Sequence, residues 1–182
     1  MYFGIFGFIL ILFGLVSAVY FSYIKWYIYF VVGETLFFGY INFLLKNESV
    51  LNLLPADYKK ILKSYVFYLL ATILIDIIGK YLLNLWEYPA FSVTDKLIHV
   101  YLIGYPFTFF AVKELYTLIK SKIKSIPAAL IFTTIVTAFL HEFPNTYVYE
   151  WKYNIPNFPY KFFNINVLVI FGWIILVTIA IC

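Results

Sequence analysis

Residues 2–24 contain no charged side chain. A run of that length is sufficient to cross a bilayer, which takes roughly 20 mostly apolar residues in a helix. It is too long for the core of a signal peptide and has no basic leader, so it reads as an uncleaved first helix. The same pattern recurs along the chain. Helix two is expected over 26–45, broken only by Glu34 between Gly33 and Thr35, and helix three over 62–86, the least apolar, with Asp76 and Lys80 four residues apart. Helix four is expected over 97–119, with a break or kink at Gly104-Tyr105-Pro106. Helix five covers 126–143 and is stopped by Pro144-Asn145, and helix six covers 162–181. Residues 46–60 read as a loop. The fold class is therefore an all-α polytopic transmembrane helical bundle of about six helices, forming one domain over residues 1–182.

Composition supports that class and closes off others. Hydrophobic residues make up 64% of the chain, charged residues only 12%, and mean hydropathy is +0.92; soluble domains carry about 25% charged residues. All thirteen basic residues are Lys. Without Arg there is no bidentate fork for a phosphate or carboxylate, and no basic stripe is long enough for nucleic acid. The only cysteine, Cys182, excludes an intramolecular disulfide. No Gly-rich phosphate loop or cysteine pair occurs, so no cofactor is expected. The expected partners are membrane lipids, a hydrophobic small-molecule substrate and a second copy of the chain.

With six spans, one side carries eight Lys against three acids and the other five Lys against six acids. The positive-inside rule then puts both termini in the cytoplasm of a multi-pass cell-membrane protein. At 1.5 Å rise per residue, Glu34 lies about 12 Å, Asp76 about 15 Å, Lys80 about 9 Å, and His99 and His141 about 5 Å below the outer ends of their helices. Together with Glu142 they populate the outer half. A charge at mid-bilayer costs roughly 2.5–3.5 kcal/mol on insertion scales, so these groups are expected to face inward.

The stretch 141–153 departs most from plain apolar sequence. His141-Glu142 with Asn145 is half of a His-Glu-x-x-His zinc pattern, but Asn145 supplies no second imidazole, and no metal is expected. The candidate catalytic residues are Glu34, Asp76, His141 and Glu142, with His141 an acid or base tuned by Glu34 or Asp76. The candidate substrate-binding residues are Lys80, His99, Asn145, Trp86, Trp151 and Tyr153. An Asp76–Lys80 pair, with Glu34 protonated or bonded to a neighbouring helix, is the structural alternative. Glu87, Asp95 and Glu150 read as solvated loop charges. Trp86-Glu87-Tyr88-Pro89 and Trp151-Lys152-Tyr153 with Pro156 form an internal echo, and a parallel hairpin repeat would set the two loops side by side over a pocket.

The layout of His141-Glu142, Asn145, Trp151-Lys152-Tyr153, Pro156 and the helix after Asn164 resembles a segment of the small polytopic lycopene cyclase domains and related carotenoid-modifying membrane proteins. The resemblance implies carboxylates in a helical bundle that protonate a polyene. Those cyclases carry an acidic pair at the start of the next helix; here the matching residues are Asn164-Ile165-Asn166-Val167, with no acid. Trp86-Glu87-Tyr88-Pro89 with Gly104-Tyr105-Pro106 is also similar to patterns in uncharacterised small membrane proteins. Three functions follow as expectations: an isoprenoid- or lipid-binding or -modifying protein with an outer-leaflet pocket, a small transporter or substrate-binding subunit, or a purely structural bundle.

Overall fold

The computed structural model describes residues 2–155 and 160–182. The helices are α1 (Tyr2–Phe21), α2 (Trp26–Leu44), α3 (Val50–Ala56), α4 (Tyr58–Asp76), α5 (Val93–Asp95), α6 (Tyr105–Lys122), α7 (Ile126–Val148) and α8 (Val167–Ile181). Two π-helical segments interrupt them: Ile77–Leu82 continues α4, and Lys96–Gly104 joins α5 to α6. Four two-residue strands complete the chain: β1 (Trp86–Glu87), β2 (Lys152–Tyr153), β3 (Lys161–Phe162) and β4 (Ile165–Asn166). Four helical segments, 2–21, 26–44, 58–82 and 126–148, are long and apolar enough to cross a membrane, and α8 is a shorter apolar helix.

The middle of the bundle is α6, which packs against α2, α4, α7 and α8. Its central residues, Thr108 to Val112, are buried in succession, as expected of a helix with neighbours on every face. Tyr68 from α4, Phe109 and Phe110 from α6, and Val169, Trp173 and Val177 from α8 form the largest core cluster. On the opposite flank α1 lies along α2. A Cβ on Gly7 would meet the Gly33 carbonyl oxygen at 2.8 Å, and one on Gly33 would meet the Gly7 carbonyl oxygen at 2.8 Å. Only glycine at both places lets the two backbones meet, the small-residue logic of helix pairing in apolar surroundings.

Several boundaries differ from the sequence reading. Residues 50–56 are helical rather than loop because the Ser49 hydroxyl caps them, accepting from Leu51 N–H at 3.1 Å. Asp57 caps the next helix, accepting from Lys60 N–H at 3.1 Å, so α4 starts before residue 62. Pro144 does not stop α7, which runs on to Val148; Tyr149, in the left-handed region at φ 57°, ends it. Apolar helices tolerate proline where neighbours re-satisfy the freed backbone groups. Residues 161–166 form a β3–β4 hairpin, so α8 starts at 167 rather than 162, capped by Asn166. The break at Gly104-Tyr105-Pro106 is real but takes the form of a π-to-α change: Tyr105 N–H bonds Val100 O, five residues back. Pro106 has no N–H to offer Leu102 O, and Tyr65 O–H donates to that carbonyl at 2.7 Å instead.

Replacing Gly7 or Gly33 with Leu should force α1 off α2 and cost about 1–3 kcal/mol, read as a lowered melting temperature of the detergent-purified protein. An unchanged melt would contradict the backbone contact.

Candidate functional site

Three turns converge at one end of the bundle. Lys25, between α1 and α2, forms an ion pair with Asp95 (2.9 Å), and its backbone N–H donates to the Glu150 carboxylate. The echoing Trp-x-Tyr segments do lie side by side, but as an antiparallel ribbon with Trp86 opposite Tyr153 and Glu87 opposite Lys152. Asn154 N–H extends it to Leu85 O at 2.8 Å. Pro156 falls outside the described residues.

Beneath this ribbon lie two carboxylates saturated by aromatic donors. Asp76 accepts from Trp86 Nε1 and Tyr88 O–H, both at 3.1 Å, on Oδ1 and from Tyr101 O–H at 2.6 Å on Oδ2. The Asp76–Lys80 pair does not form. Three aromatic donors already occupy the Asp76 carboxylate, and Lys80 Nζ lies over the rings of Tyr81 (4.8 Å) and Tyr88 (5.0 Å). Gly79 makes room for the arrangement, because a Cβ there would fall inside the Trp86 indole. Glu142 is held in the same way: Oε1 accepts from Tyr153 O–H (2.7 Å) and Trp173 Nε1 (2.9 Å), and Oε2 from Trp151 Nε1 (3.1 Å). Asn145, one turn on, donates to Trp151 O at 2.8 Å and so pins the same loop.

A third group lies between α2, α6 and α7. His141 Nε2 approaches Glu34 Oε2 to 3.0 Å, within ion-pair distance though off the line of a good hydrogen bond. Its Nδ1 lies 2.6 Å from Tyr27 O–H, which is 2.9 Å from Thr108 Oγ1. Thr108 donates its only proton to Gly104 O at 2.7 Å. The Tyr27 proton therefore goes to Thr108 and an Nδ1–H of His141 to Tyr27, leaving Nε2 to face Glu34. The structure thus brings Glu34, and not Asp76, to His141.

These groups border a cavity of about 450 Å³. The two π-helices contribute Ile78, Gly79, His99, Val100 and Gly104 to its wall, and Glu142, Tyr27 and the indoles of Trp86, Trp151 and Trp173 line it as well. Ile78 (45% exposed) and Ile175 (64%) also line it while facing outward, so it opens sideways between α4 and α8. Those two helices meet along only a short stretch, and a Cβ on Gly172 would have nothing within 4 Å. His99 stacks on Phe91 at 5.9 Å, its Nε2 is 3.6 Å from Asp95 Oδ1, and its Nδ1 is buried without a partner. Lys80 is absent from the lining residues of this cavity. Among the described residues no group of three or more His, Cys, Asp or Glu side chains converges on a metal-sized site.

Sequence reasoning missed Tyr27, Thr108, Tyr88, Tyr101 and Trp173. A signal existed for two of them: Tyr27 lies seven residues before Glu34, two turns up the same face, and Trp173 is the only nitrogen donor in α8. Glu150 is not a solvated loop charge. It is 2% exposed and takes the amides of Lys25, Trp26 and Tyr27 at the start of α2. Burial pushes its carboxyl up to about 8 against the pull of those amides. Asp95, held by Ser92 and Lys25, is lowered to about 2. Comparison with models of known families, with curated proteins and with solved structures finds no match to this chain.

Two predictions follow from these carboxylates. Glu142→Leu strands three buried donors and should cost roughly 2–5 kcal/mol, clearly more than Glu142→Gln, which keeps an acceptor oxygen; equal melting temperatures would contradict the network. For Glu150, the folded chain holds a proton that the unfolded chain releases between its ordinary 4.5 and about 8. Stability should therefore fall as pH rises through that window, and Glu150→Gln should flatten the dependence in thermal melts.

Proposed function

We propose that this chain is an integral membrane protein whose six helical segments all cross the bilayer, with both termini cytoplasmic, and that its cavity takes an apolar molecule of isoprenoid or lipid type sideways from the outer leaflet. The carrying observation is the cavity's mouth. It opens between α4 and α8 among outward-facing Ile78 and Ile175, where a membrane would supply apolar molecules rather than water. Its volume, about 450 Å³, falls in the range of small-molecule sites.

The excess of Lys on the side of α3 and the 123–125 turn supports the orientation. That side has a buried carboxylate of its own, Glu114, but Asn42 Nδ2 (2.8 Å) and Val50 N–H (2.6 Å) satisfy it, and it serves to cap α3. In this reading Asp76 and Glu142 are framework, since each spends both carboxyl oxygens on three donors of the protein itself. Chemistry on a bound molecule, of the kind the carotenoid-modifying resemblance implies, then falls to Glu34, His141 and Tyr27.

The test is mass spectrometry of molecules retained by the protein purified in mild detergent from its own membranes. One apolar small molecule in stoichiometric amount is expected, lost from Gly172→Trp, which adds an indole at a lining position where a Cβ has nothing within 4 Å. Bulk lipid alone, in the same amount in both proteins, would count against the cavity and favour a structural bundle.

A further inference from the structure

Of the three groups left to act on a bound molecule, Glu34, His141 and Tyr27, only Tyr27 lines the cavity, and Thr108 lines it as well. Whatever the buried pair offers an occupant therefore passes the Tyr27 hydroxyl. The direction of the hydrogen bonds at that hydroxyl decides which nitrogen of His141 holds a fixed proton, and a residue outside the three sets that direction. This step rests on the reading above that these three groups carry the chemistry.

Thr108 lies in the first turn of α6 and is 2% exposed, so bulk water has no ready access to its hydroxyl. A threonine inside a helix readily turns its hydroxyl back to the carbonyl four residues earlier. Seven helical threonines of this chain do so, at 2.7–2.9 Å. Thr108 does it to Gly104 O, the carbonyl that ends the second π-helix. A hydroxyl has one proton to give. With that proton spent on Gly104, Thr108 can only accept from Tyr27, 2.9 Å away. Tyr27 then has none left for His141, and the 2.6 Å contact of its oxygen with Nδ1 requires the proton on Nδ1. The imidazole is also held in this orientation. The rings of Tyr27, Phe30 and Trp173 surround it at centroid distances of 5.4, 5.3 and 4.9 Å, and turning it over would set carbon where both nitrogens now meet oxygen.

We infer that Thr108 is a positioning residue for this group: acting through Tyr27, it fixes a proton on His141 Nδ1 and so makes Nε2, beside Glu34, the position that can take up or release one. Without the Thr108 hydroxyl the Tyr27 proton has Nδ1 as its remaining acceptor. The imidazole then holds its fixed proton on Nε2, and the exchangeable position moves to the Tyr27 side, away from the carboxylate. One hydroxyl on the cavity wall thus decides whether Glu34 faces the working nitrogen or the idle one.

The experiment is nitrogen-15 NMR of the protein labelled in histidine alone, in which the chemical shift tells a proton-bearing ring nitrogen from a bare one. The chain has two histidines, so the imidazole that remains in His99→Phe is His141. In the unmodified protein Nδ1 of His141 should bear a proton. Thr108→Val should move that proton to Nε2, and Thr108→Ser, which keeps the hydroxyl, should restore the original pattern; Thr108→Ala replaces valine if the valine variant does not fold. A bare Nδ1 in the unmodified protein, or an Nδ1 proton that survives both Thr108→Val and Thr108→Ala, overturns the inference. A change of packing alone would lower the melting temperature without exchanging the two nitrogens. The readout needs no bound molecule, so it fails or holds separately from the mass-spectrometric test of the cavity.

Discussion

The structure depends on holding two carboxylates away from water. Asp76 and Glu142 are 1% and 3% exposed, and neither has a cation as partner. Each is satisfied instead by three aromatic donors, which supply hydrogen bonds together with the apolar bulk that surroundings of low dielectric require. Because those donors come from distant parts of the chain, the two acids act as junctions. Asp76 ties α4 to the 86–88 segment and the second π-helix; Glu142 ties α7 to the 151–153 loop and to α8. The β1–β2 ribbon then joins the two junctions above the cavity.

Such an arrangement spends its polar groups on architecture, and what remains for a ligand is small and specific. The π-helices shape it. Gly79 and Gly104 keep the wall open where a Cβ would strike the Trp86 ring or the His99 carbonyl. π-segments are frequent at functional sites, and both of these border one cavity. Behind the wall, Glu34 and His141 form a compact pair whose route to the cavity runs through the Tyr27 hydroxyl.

Much of the fold was legible because hydrophobic length is a strong signal: helix two was placed to within a residue, and the all-α class needed only the apolar runs. The inward orientation of Glu34, Asp76 and His141 followed from the cost of facing lipid. The partners were not legible. Asp76 and Lys80 have helical spacing, but that spacing carries no sign that Trp86, Tyr88 and Tyr101 occupy the carboxylate instead. Eighteen tyrosines and twenty-one phenylalanines make any one aromatic donor indistinguishable by count. Glu150 looked like a loop acid because its role as the cap of α2 depends on a turn 125 residues away in sequence. Pro144 was given too much weight as a helix breaker, since that rule is weakest where packing encloses the helix.

The central claim is that a cavity beneath two aromatic-saturated carboxylates opens to the membrane between α4 and α8 and is normally filled. The most direct measurement is an experimental structure of the protein in lipid nanodiscs prepared from its own membranes. The account predicts elongated non-protein density entering between Ile78 and Ile175 and lying against the indoles of Trp86, Trp151 and Trp173. Direct packing of α4 on α8 with no space between them, or Asp76 and Glu142 found without their tryptophan and tyrosine donors, would contradict it.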